Sequence, residues 1–327
     1  MKNVCFAALA ALALAAPFTA RAQIYRHDSA FDGKGIGKST SFFGVTLDGS
    51  GNVYVADQLN SRISKYDSNG IFLSNIGVSR LNSPQDVALD SSGNVYVADS
   101  FNYRVAEFSS SGAFMKSIGG KGDGDGQFGV ATSIALDGKG NLFATDQLNN
   151  RIEEFDSSGA FVRALGIAGA GFHHSGSGDG QLNTPIGVRV DGEGNVYVAD
   201  SLNNRIVEFN HKGAFVRNIG SSSNGHLNKP KDVTLDSQGN IYVADTYNNH
   251  IVEFNSAGGF SQYIGDGLLG KPQGDAFDSG GNLYVADSSN NRVTRFRPAT
   301  AVPEPGAFAL LAAGLAGAAA SLRRRRK

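Results

Sequence analysis

The stretch that decides the fold runs from Gly194 to Phe209 and reads GNVYVADSLNNRIVEF. Versions of it begin at Gly51, Gly93, Gly140, Gly239 and Gly281. The aspartate of this motif recurs in steps of 42, 47, 54, 45 and 42 residues, at Asp57, Asp99, Asp146, Asp200, Asp245 and Asp287. A period in this range is typical of a repeat architecture, in which each repeat folds as one supersecondary unit.

Each repeat contains four short runs separated by glycine turns. The run Asn-Val-Tyr-Val-Ala is apolar and β-branched, which predicts a strand buried on both faces. A D-x-x-G-N junction such as Asp90–Asn94 joins it to a preceding run, and its glycine fits the left-handed position of a short hairpin. The following R-I-x-E-F run carries Glu154, Glu208 and Glu253, which predicts a third strand nearer to solvent. A turn then leads to a fourth run, as in Ala160–Leu165.

Four-stranded sheets with two apolar faces bury both faces when they are arranged around an axis. The sequence therefore predicts an all-β protein, a six-bladed β-propeller of four-stranded antiparallel blades. The sixth repeat stops at Pro298 after its third strand, and a missing strand would leave an unpaired edge. We expect the segment from Ile24 to Ile36 to close the last blade as an N-terminal strand.

The repeated phrase resembles a known family. P-x-D-V-x-L-D-S-x-G-N-x-Y-V-A-D and the run Tyr247–Phe254 are similar to the NHL repeat, and the similarity covers nearly all of residues 42 to 297. The resemblance implies a propeller, but the same fold serves unrelated functions. Related enzymes, including peptide-amidating lyases and streptogramin lyases, draw His ligands or acid/base groups from the rim of the central channel. The six first strands here contain no histidine.

Two terminal segments lie outside the repeats. Residues 1–22 contain Lys2, an apolar run and Ala20-Arg21-Ala22, which predicts a secretory signal peptide and a mature protein that starts at Gln23. Cys5 lies in this leader, so the mature chain has no cysteine for disulfide or thiol chemistry. The propeller is expected over residues 23–298.

The C-terminal end has three parts. A linker at 299–306 contains Val302, Pro303, Glu304 and Pro305, and residues 307–327 form an apolar segment followed by a basic tail. This end resembles the PEP-CTERM sorting signal, which implies export, processing by an exosortase-type enzyme and a place at the cell surface, often with biofilm matrix. As a helix, the apolar segment would hold the protein in the inner membrane before processing, and retention as a plain membrane anchor is the alternative.

The charge of the mature protein excludes one class of partner. Seven of the 29 Lys and Arg lie in the two terminal segments, which leaves 22 against 30 Asp and Glu and a net charge near −8. Some NHL propellers bind RNA, which needs a basic surface to neutralise phosphates. We therefore expect no nucleic acid partner.

The most regular polar feature is a D-x-x-N-x-R pattern in every repeat. We expect its aspartates to accept from backbone amides of the turn between the second and third strands, and its arginines to pair with an aspartate. A sixfold feature favours a structural role over a catalytic one. The arginines are Arg62, Arg104, Arg151, Arg205 and Arg292, and in the fifth repeat His250 takes the place of the arginine.

Successive turns of a meander alternate between the two faces of the disc. The loop face, as we name it, carries the turns between second and third strands and the loops between blades; the hairpin face carries the D-x-x-G-N hairpins and the turns between third and fourth strands. Variable loops on a rigid scaffold often bind ligands. The loop face gathers His173, His174, His226, His250, Asp123, Asp125 and Asp179, from which His173, His174 and His250 are candidate ligands of a divalent metal.

Two residues break the apolar pattern of the first strands. Arg189 and Asp275 either face the channel and bind a ligand or ion, or satisfy one another or a buried water. We expect a binding or scaffold module without a resident cofactor, whose extracellular ligand is a matrix polysaccharide, a peptide or another surface protein. A metal-assisted lyase or hydrolase on the loop face is the alternative.

Overall fold

The computed structural model of the protein describes residues 25–32, 41–166, 175–220 and 225–299. Over these residues 24 strands form six four-stranded antiparallel sheets, and the only helical elements in the same ranges are short 3₁₀ turns after the second strands. The first strand of each blade contacts the first strands of both neighbouring blades. The predicted six-bladed propeller is confirmed.

The strands have the following bounds. Blade 1 contains β2 (Phe42–Leu47), β3 (Val53–Asp57), β4 (Arg62–Tyr66) and β5 (Phe72–Ile76); blade 2 contains β6 (Pro84–Leu89), β7 (Val95–Asp99), β8 (Arg104–Phe108) and β9 (Phe114–Ile118); blade 3 contains β10 (Ala131–Leu136), β11 (Leu142–Asp146), β12 (Arg151–Phe155) and β13 (Phe161–Leu165). Blade 4 contains β14 (Pro185–Val190), β15 (Val196–Asp200), β16 (Arg205–Phe209) and β17 (Phe215–Ile219); blade 5 contains β18 (Asp232–Leu235), β19 (Ile241–Asp245), β20 (His250–Phe254) and β21 (Phe260–Ile264); blade 6 contains β22 (Pro272–Phe277), β23 (Leu283–Asp287), β24 (Arg292–Pro298) and β1 (Tyr25–Asp32).

The hydrophobic core lies between the blades. Every residue of the second strands is buried, as the apolar runs predict. Between blades 1 and 2, Tyr54 and Ile63 of one sheet pack with Val87, Val95 and Phe108 of the next. Burial of one such side chain contributes about 1.5–3 kcal/mol. Each blade is therefore stabilised mainly by its neighbours.

The third strands are more buried than the sequence predicts. Glu154, Glu208 and Glu253 are only 2–7% exposed, so the expectation of a strand nearer to solvent was wrong. The fourth strand covers the third and supplies partners to its carboxylates, since Arg163 pairs with Glu154 and Arg217 pairs with Glu208. Glu154 and Glu208 are therefore buried in ion pairs with the fourth strand and are not exposed to solvent.

The N-terminal strand completes the last blade. β1 pairs antiparallel with β24 from Tyr25 opposite Pro298 to Asp32 opposite Arg292, which confirms the predicted closure. The Tyr25 ring packs at 5.9 Å from the Tyr242 ring. Closure leaves blade 6 with four strands like the others.

Candidate functional site

A charged clamp fixes the loops of the loop face. In five blades the Oδ1 of the buried motif aspartate accepts the N–H of the inter-blade loop residue seventeen positions earlier; for Asp200 this donor is Asn183, at 2.7 Å. The expected donors were amides of the turn, so the structure corrects the prediction. The clamp ties the end of each second strand to the loop that enters the same blade.

The arginine and asparagine complete each clamp. In blade 4, Asn203 and Arg205 both donate to Asp200 Oδ2 at 2.8 Å. Arg205 also donates to the carbonyls of Gly178 and Gln181 in the inter-blade loop, at 3.0 and 2.8 Å. The buried carboxylate is thereby neutralised and fully bonded, and the loop is held by three side chains.

Blade 5 has a modified clamp. His250 Nε2 lies 3.3 Å from Asp245 Oδ2, where the other blades place an arginine. Its Nδ1 lies 3.8 Å from Asp266 Oδ1, and its ring lies 4.4 Å from the Tyr263 ring. His226 is exposed, and its carbonyl accepts Asn248 Nδ2 at 3.2 Å.

The predicted metal site is only partly within the described residues. His173 and His174 lie outside them, and Asp123, Asp125 and Asp179 are exposed. Among residues 25–32, 41–166, 175–220 and 225–299, no group of three or more His, Cys, Asp or Glu is placed to hold a metal ion. The metal hypothesis for His173, His174 and His250 stays a prediction.

Blade 3 contains a buried acid that the sequence analysis missed. Glu153 replaces the small or apolar residue of the other third strands and is fully buried. One carboxylate oxygen lies 2.6 Å from Arg151, and the other accepts the Gly126 N–H at 3.1 Å. Burial raises the pKa of Glu153 to about 7, although Arg151 opposes the rise. This side chain holds the Gly-Asp-Gly loop of blade 3.

The wall of the central channel departs from sixfold symmetry at one equivalent position of the six blades, which is the third residue of five first strands and the first residue of β18, Asp232. Asp86 Oδ2 accepts the Ile134 N–H of the next blade at 3.0 Å, Ser133 Oγ accepts the Val188 N–H at 3.2 Å, and Asp232 Oδ2 accepts the Asp275 N–H at 3.2 Å. Glycines occupy this position in the other three blades. A Cβ on Gly44 would lie 2.0 Å from Asp86 Oδ1, so the backbones approach closely there.

Asp275 occupies a position that is aliphatic in every other blade. Its side chain is 0% exposed, and among the described residues neither carboxyl oxygen has a hydrogen-bond partner. Asp232 Oδ1 likewise has none within the described chain. The equivalent residues are Val45, Val87, Ile134, Val188 and Val233.

Arg189 approaches the same place from blade 4. Its Nε donates to the Val233 carbonyl at 3.2 Å, and its Nη2 lies 3.5 Å from Asp232 Oδ2 and 3.4 Å from the Asp275 carbonyl oxygen. Arg189 and Asp275 are therefore neighbours, as one of the two expectations required. However, the guanidinium contacts the backbone of Asp275 and leaves its carboxyl group unpartnered.

The electrostatics of this channel cluster favour bound protons. Burial raises the pKa of Asp232 to about 7, with Arg189 opposing the rise and Asp86 adding to it. Burial and the neighbouring Asp232 raise the pKa of Asp275 well above its usual value. One guanidinium cannot balance three buried carboxylates, so protonation of at least one aspartate near neutral pH follows.

A small cavity opens above this cluster on the loop face. Its volume is about 20 Å³, which is enough for a water but not for a substrate. Asp86 and Asp232 form its floor. The rim is formed by the residue that precedes this channel position in each blade, namely Phe43, Gln85, Thr132, Ile186, Lys231 and Gln273.

The loop face also carries an apolar ring around the channel mouth. In five blades the second residue of the turn after the second strand is a large apolar side chain that is 49–60% exposed, and blade 6 has Ser289 in this place. The backbone of these turns is bonded to the inter-blade loops. The apolar ring consists of Leu59, Phe101, Leu148, Leu202 and Tyr247.

A groove of the loop face lies between blades 2 and 3. It has a volume of about 640 Å³ and is lined by Tyr103, Phe128 and Leu148, with Lys121 and Asp123 beside them. The Lys121 ammonium lies 4.7 Å from the centre of the Tyr103 ring. An apolar floor with a few polar groups is typical of a binding groove.

Comparison with known sequences explains the repeated motif. The model of the NHL repeat matches residues 81–108, 182–209, 227–254 and 269–296, which are parts of blades 2, 4, 5 and 6. These four blades contain NHL repeats. Blades 1 and 3 fall outside the match, but they have the same strand order. No curated protein matches the chain significantly.

The end of the chain matches a second family model. The PEP-CTERM protein-sorting motif covers residues 301–326, including Val302–Pro305, and implies processing by exosortase-type machinery with export to a surface or membrane. Within the described ranges, no helix is long and apolar enough to cross a membrane. The predicted signal peptide and C-terminal helix lie outside those ranges.

Several solved structures share the NHL propeller's fold. A streptogramin B lyase has a TM-score of 0.61 and 14% identity over 84% of this chain and 97% of that chain. A gluconolactonase from Xanthomonas campestris has a TM-score of 0.61 and 14% identity over 79% and 86% of the two chains. A chain of a nidogen/laminin complex has a TM-score of 0.56 and 20% identity over 69% and 80%. At these identities the likeness shows the fold alone.

Proposed function

We propose that this NHL propeller is an exported binding module, held at the cell surface, which binds a segment of another extracellular protein on its loop face. The observation that carries the proposal is the apolar ring, in which five blades expose a large apolar residue at one equivalent position. Single exposed apolar residues are common, whereas a group on one face is typical of an interaction site.

The clamps support this proposal because they make the face rigid. In blades 2 to 5 the buried aspartate ties a turn of the apolar ring to an inter-blade loop, and the arginines Arg104 and Arg205 bond further loop carbonyls. A preorganised surface loses little conformational entropy when it binds. The groove at Tyr103 and Leu148 would take an apolar side chain of the partner.

The composition of the ring favours a protein partner over a polysaccharide. Three of its five members are leucines, which offer apolar surface without hydrogen-bonding groups. Apolar anchors in desolvated pockets provide much of the affinity of protein interfaces. The nidogen/laminin structure is a protein complex that contains a similar fold.

The test compares two exposed apolar pairs on the mature protein. Binding to purified surface proteins and to purified exopolysaccharide of the producing cells is measured for the double variants Phe101→Ser/Leu148→Ser and Ile71→Ser/Leu73→Ser. We expect the first to weaken protein binding by about tenfold or more. The second changes equally exposed residues on the outer edge of blade 1 and is expected to bind normally. Binding to polysaccharide alone, or equal effects of both pairs, would contradict the proposal.

The enzymatic alternative has a separate observation in its favour. Asp232 and Asp275 are buried carboxyl groups with raised pKa values beneath the channel mouth, a combination that is frequent at catalytic sites. A metal-assisted lyase or hydrolase would also need the predicted metal. Metal content of the purified mature protein tests it: stoichiometric zinc that is lost in a His173→Ala/His174→Ala/His250→Ala variant would favour the enzyme.

A further inference from the structure

The chain enters the propeller and leaves it at neighbouring points. β1 and β24 are neighbouring antiparallel strands at the outer edge of blade 6, and Tyr25 lies opposite Pro298. Pro298 lies beside Gly281, the glycine of the D-x-x-G-N hairpin in this blade. The chain therefore enters and leaves the propeller on the hairpin face.

The loop face, which carries the apolar ring in the other five blades, lies at the opposite end of the same strands. The turn between β23 and β24 belongs to the loop face, where the Ser289 N–H donates to the Gly270 carbonyl at 2.9 Å. β24 then runs for 7 residues from this turn to Pro298, a rise of about 23 Å. The full height of the blade thus separates the loop face from the point where the tail begins.

The length of the linker limits how the disc can lie. Residues 299–306 separate Pro298 from the apolar segment of the sorting signal. Eight residues reach at most about 28 Å when fully extended. If the loop face lay against a membrane, the linker would have to run back along the whole edge of blade 6. If the hairpin face lies toward the membrane, the linker needs no such path.

From these positions we infer that the attached protein turns its hairpin face toward the surface that holds its tail and displays the loop face outward. The apolar ring and the channel mouth are then open to partners outside the cell. The inference rests on the attachment that forms part of the proposed function, and it adds which face is presented.

The charge of the hairpin face sets the distance from the membrane. The hairpins and the turns between third and fourth strands contain nine acidic residues and two lysines. Anionic lipid repels such a face over a Debye length of about 8–10 Å at physiological salt. We therefore expect the disc to stand off the membrane and to move closer when the salt concentration is raised. The acidic residues are Asp48, Asp67, Asp90, Asp137, Asp156, Asp191, Glu193, Asp236 and Asp278, and the lysines are Lys139 and Lys212.

Single-cysteine variants test the orientation, because the only cysteine, Cys5, lies in the predicted leader. Ser279→Cys and Ser289→Cys mark the hairpin face and the loop face of blade 6, and both side chains are exposed. Lys139→Cys and Leu148→Cys mark the same two faces of blade 3, on the far side of the ring. Each mature protein with its full tail is labelled with a fluorescent donor and reconstituted into vesicles that contain an acceptor lipid.

We expect donors on the hairpin face to be quenched about twofold or more strongly than donors on the loop face in both blades, since a strand's rise separates them. Stronger quenching on the loop face would overturn the inference, as would quenching of both blade 6 positions and neither blade 3 position, which indicates a disc standing on its edge. Labelled proteins that end at Pro298 control for adsorption. If the full-length protein does not float with the vesicles, the attachment itself fails, and flotation distinguishes that result from a wrong orientation.

Discussion

Buried carboxyl groups have different surroundings in two regions of the molecule. One region is the set of clamps at the ends of the second strands, and the other is the set of first strands around the channel. In a clamp such as that of Asp200, the carboxylate meets an arginine, an asparagine and a backbone amide. In the channel, Asp86, Asp232 and Asp275 share one guanidinium, and Asp275 has no side-chain partner among the described residues. The repeated region is therefore built for stability, whereas the channel gives up stability at one position.

Such a cost at one blade of six indicates a role other than folding. Five blades show that an aliphatic residue is compatible with the position of Asp275. Proteins commonly retain a local violation of packing rules at functional sites. The asymmetry lies beneath the mouth of the loop face, the same face for which a binding function is proposed.

The comparison predicts the largest change in the free energy of unfolding when another blade receives an aspartate at the position of Asp275. Val45→Asp would place a carboxyl group in the apolar core between blades 6 and 1. We expect a loss of more than about 4 kcal/mol in the free energy of unfolding, because no cation faces this site among the core residues. Urea unfolding measures the loss, and Val45→Thr, which keeps the shape, is the control. A loss no larger than that of the control would contradict this view of the core.

Removal of one clamp is the next largest effect. Asp200→Ala leaves Arg205, Asn203 and the Asn183 amide without their shared acceptor. Breaking a buried pair of this kind costs about 3–5 kcal/mol. Asp179→Ala, at an exposed aspartate in the preceding loop, should change the unfolding free energy by less than about 0.5 kcal/mol. Equal effects of the two substitutions would show that the clamp has no structural importance.

For a substitution in the channel we expect a gain in the free energy of unfolding instead of a loss. Asp275→Val restores the aliphatic residue of the other blades and leaves Arg189 beside Asp232. A buried polar group without a hydrogen-bond partner costs about 1–3 kcal/mol, and a packed apolar side chain in its place removes this cost. Asp275→Asn keeps an unpartnered polar group in the same place, so its gain should be smaller. Calorimetric unfolding at pH 7 checks both, and destabilisation by Asp275→Val would refute an unpartnered carboxyl group.

The smallest effect concerns the modified clamp of blade 5. His250→Arg would supply a guanidinium to Asp245 and to loop carbonyls, as Arg205 does in blade 4. A gain of about 0.5–1.5 kcal/mol follows from the added hydrogen bonds. Thermal unfolding measures it, and Tyr263→Phe, which leaves the ring against His250 in place, serves as the control. An unchanged or lower melting temperature would mean that histidine already fulfils the role of the arginine.

The repeats made the fold predictable from the sequence, because the runs of the first three strands occur six times and the run of the fourth strand five times. The strand β1 was also predictable, since Pro298 left the last blade without a fourth strand. The third strands were misjudged because alternation suggested solvent, whereas Arg163 and Arg217 neutralise the glutamates from the neighbouring strand.

The site was less predictable because it depends on differences between repeats. Arg189 and Asp275 are conspicuous in the sequence as polar residues in apolar runs. Asp86 and Asp232 are not, because each belongs to the repeated D-V-x-L pattern of a first strand. They would have been found by aligning the residue that precedes the position of Asp275 in each repeat, which reads Gly, Asp, Ser, Gly, Asp and Gly. The apolar ring could likewise have been found by aligning the turn residues, but its exposure follows only from the fold.

The most direct test of this account is the pH dependence of unfolding for the protein and for Asp275→Val between pH 4 and 8. The raised pKa values of Asp232 and Asp275 mean that the folded protein holds protons which the unfolded chain, with an aspartate pKa of about 3.9, has released. Their stabilising contribution is therefore complete below about pH 4 and is lost as the pH rises through the folded-state pKa values, of which that of Asp232 is about 7 and that of Asp275 is raised, by up to about 1.4 kcal/mol per pH unit for each proton. We predict that the free energy difference between variant and parent grows with pH over this range. Parallel curves, or a variant that is less stable throughout, would contradict the account of the channel.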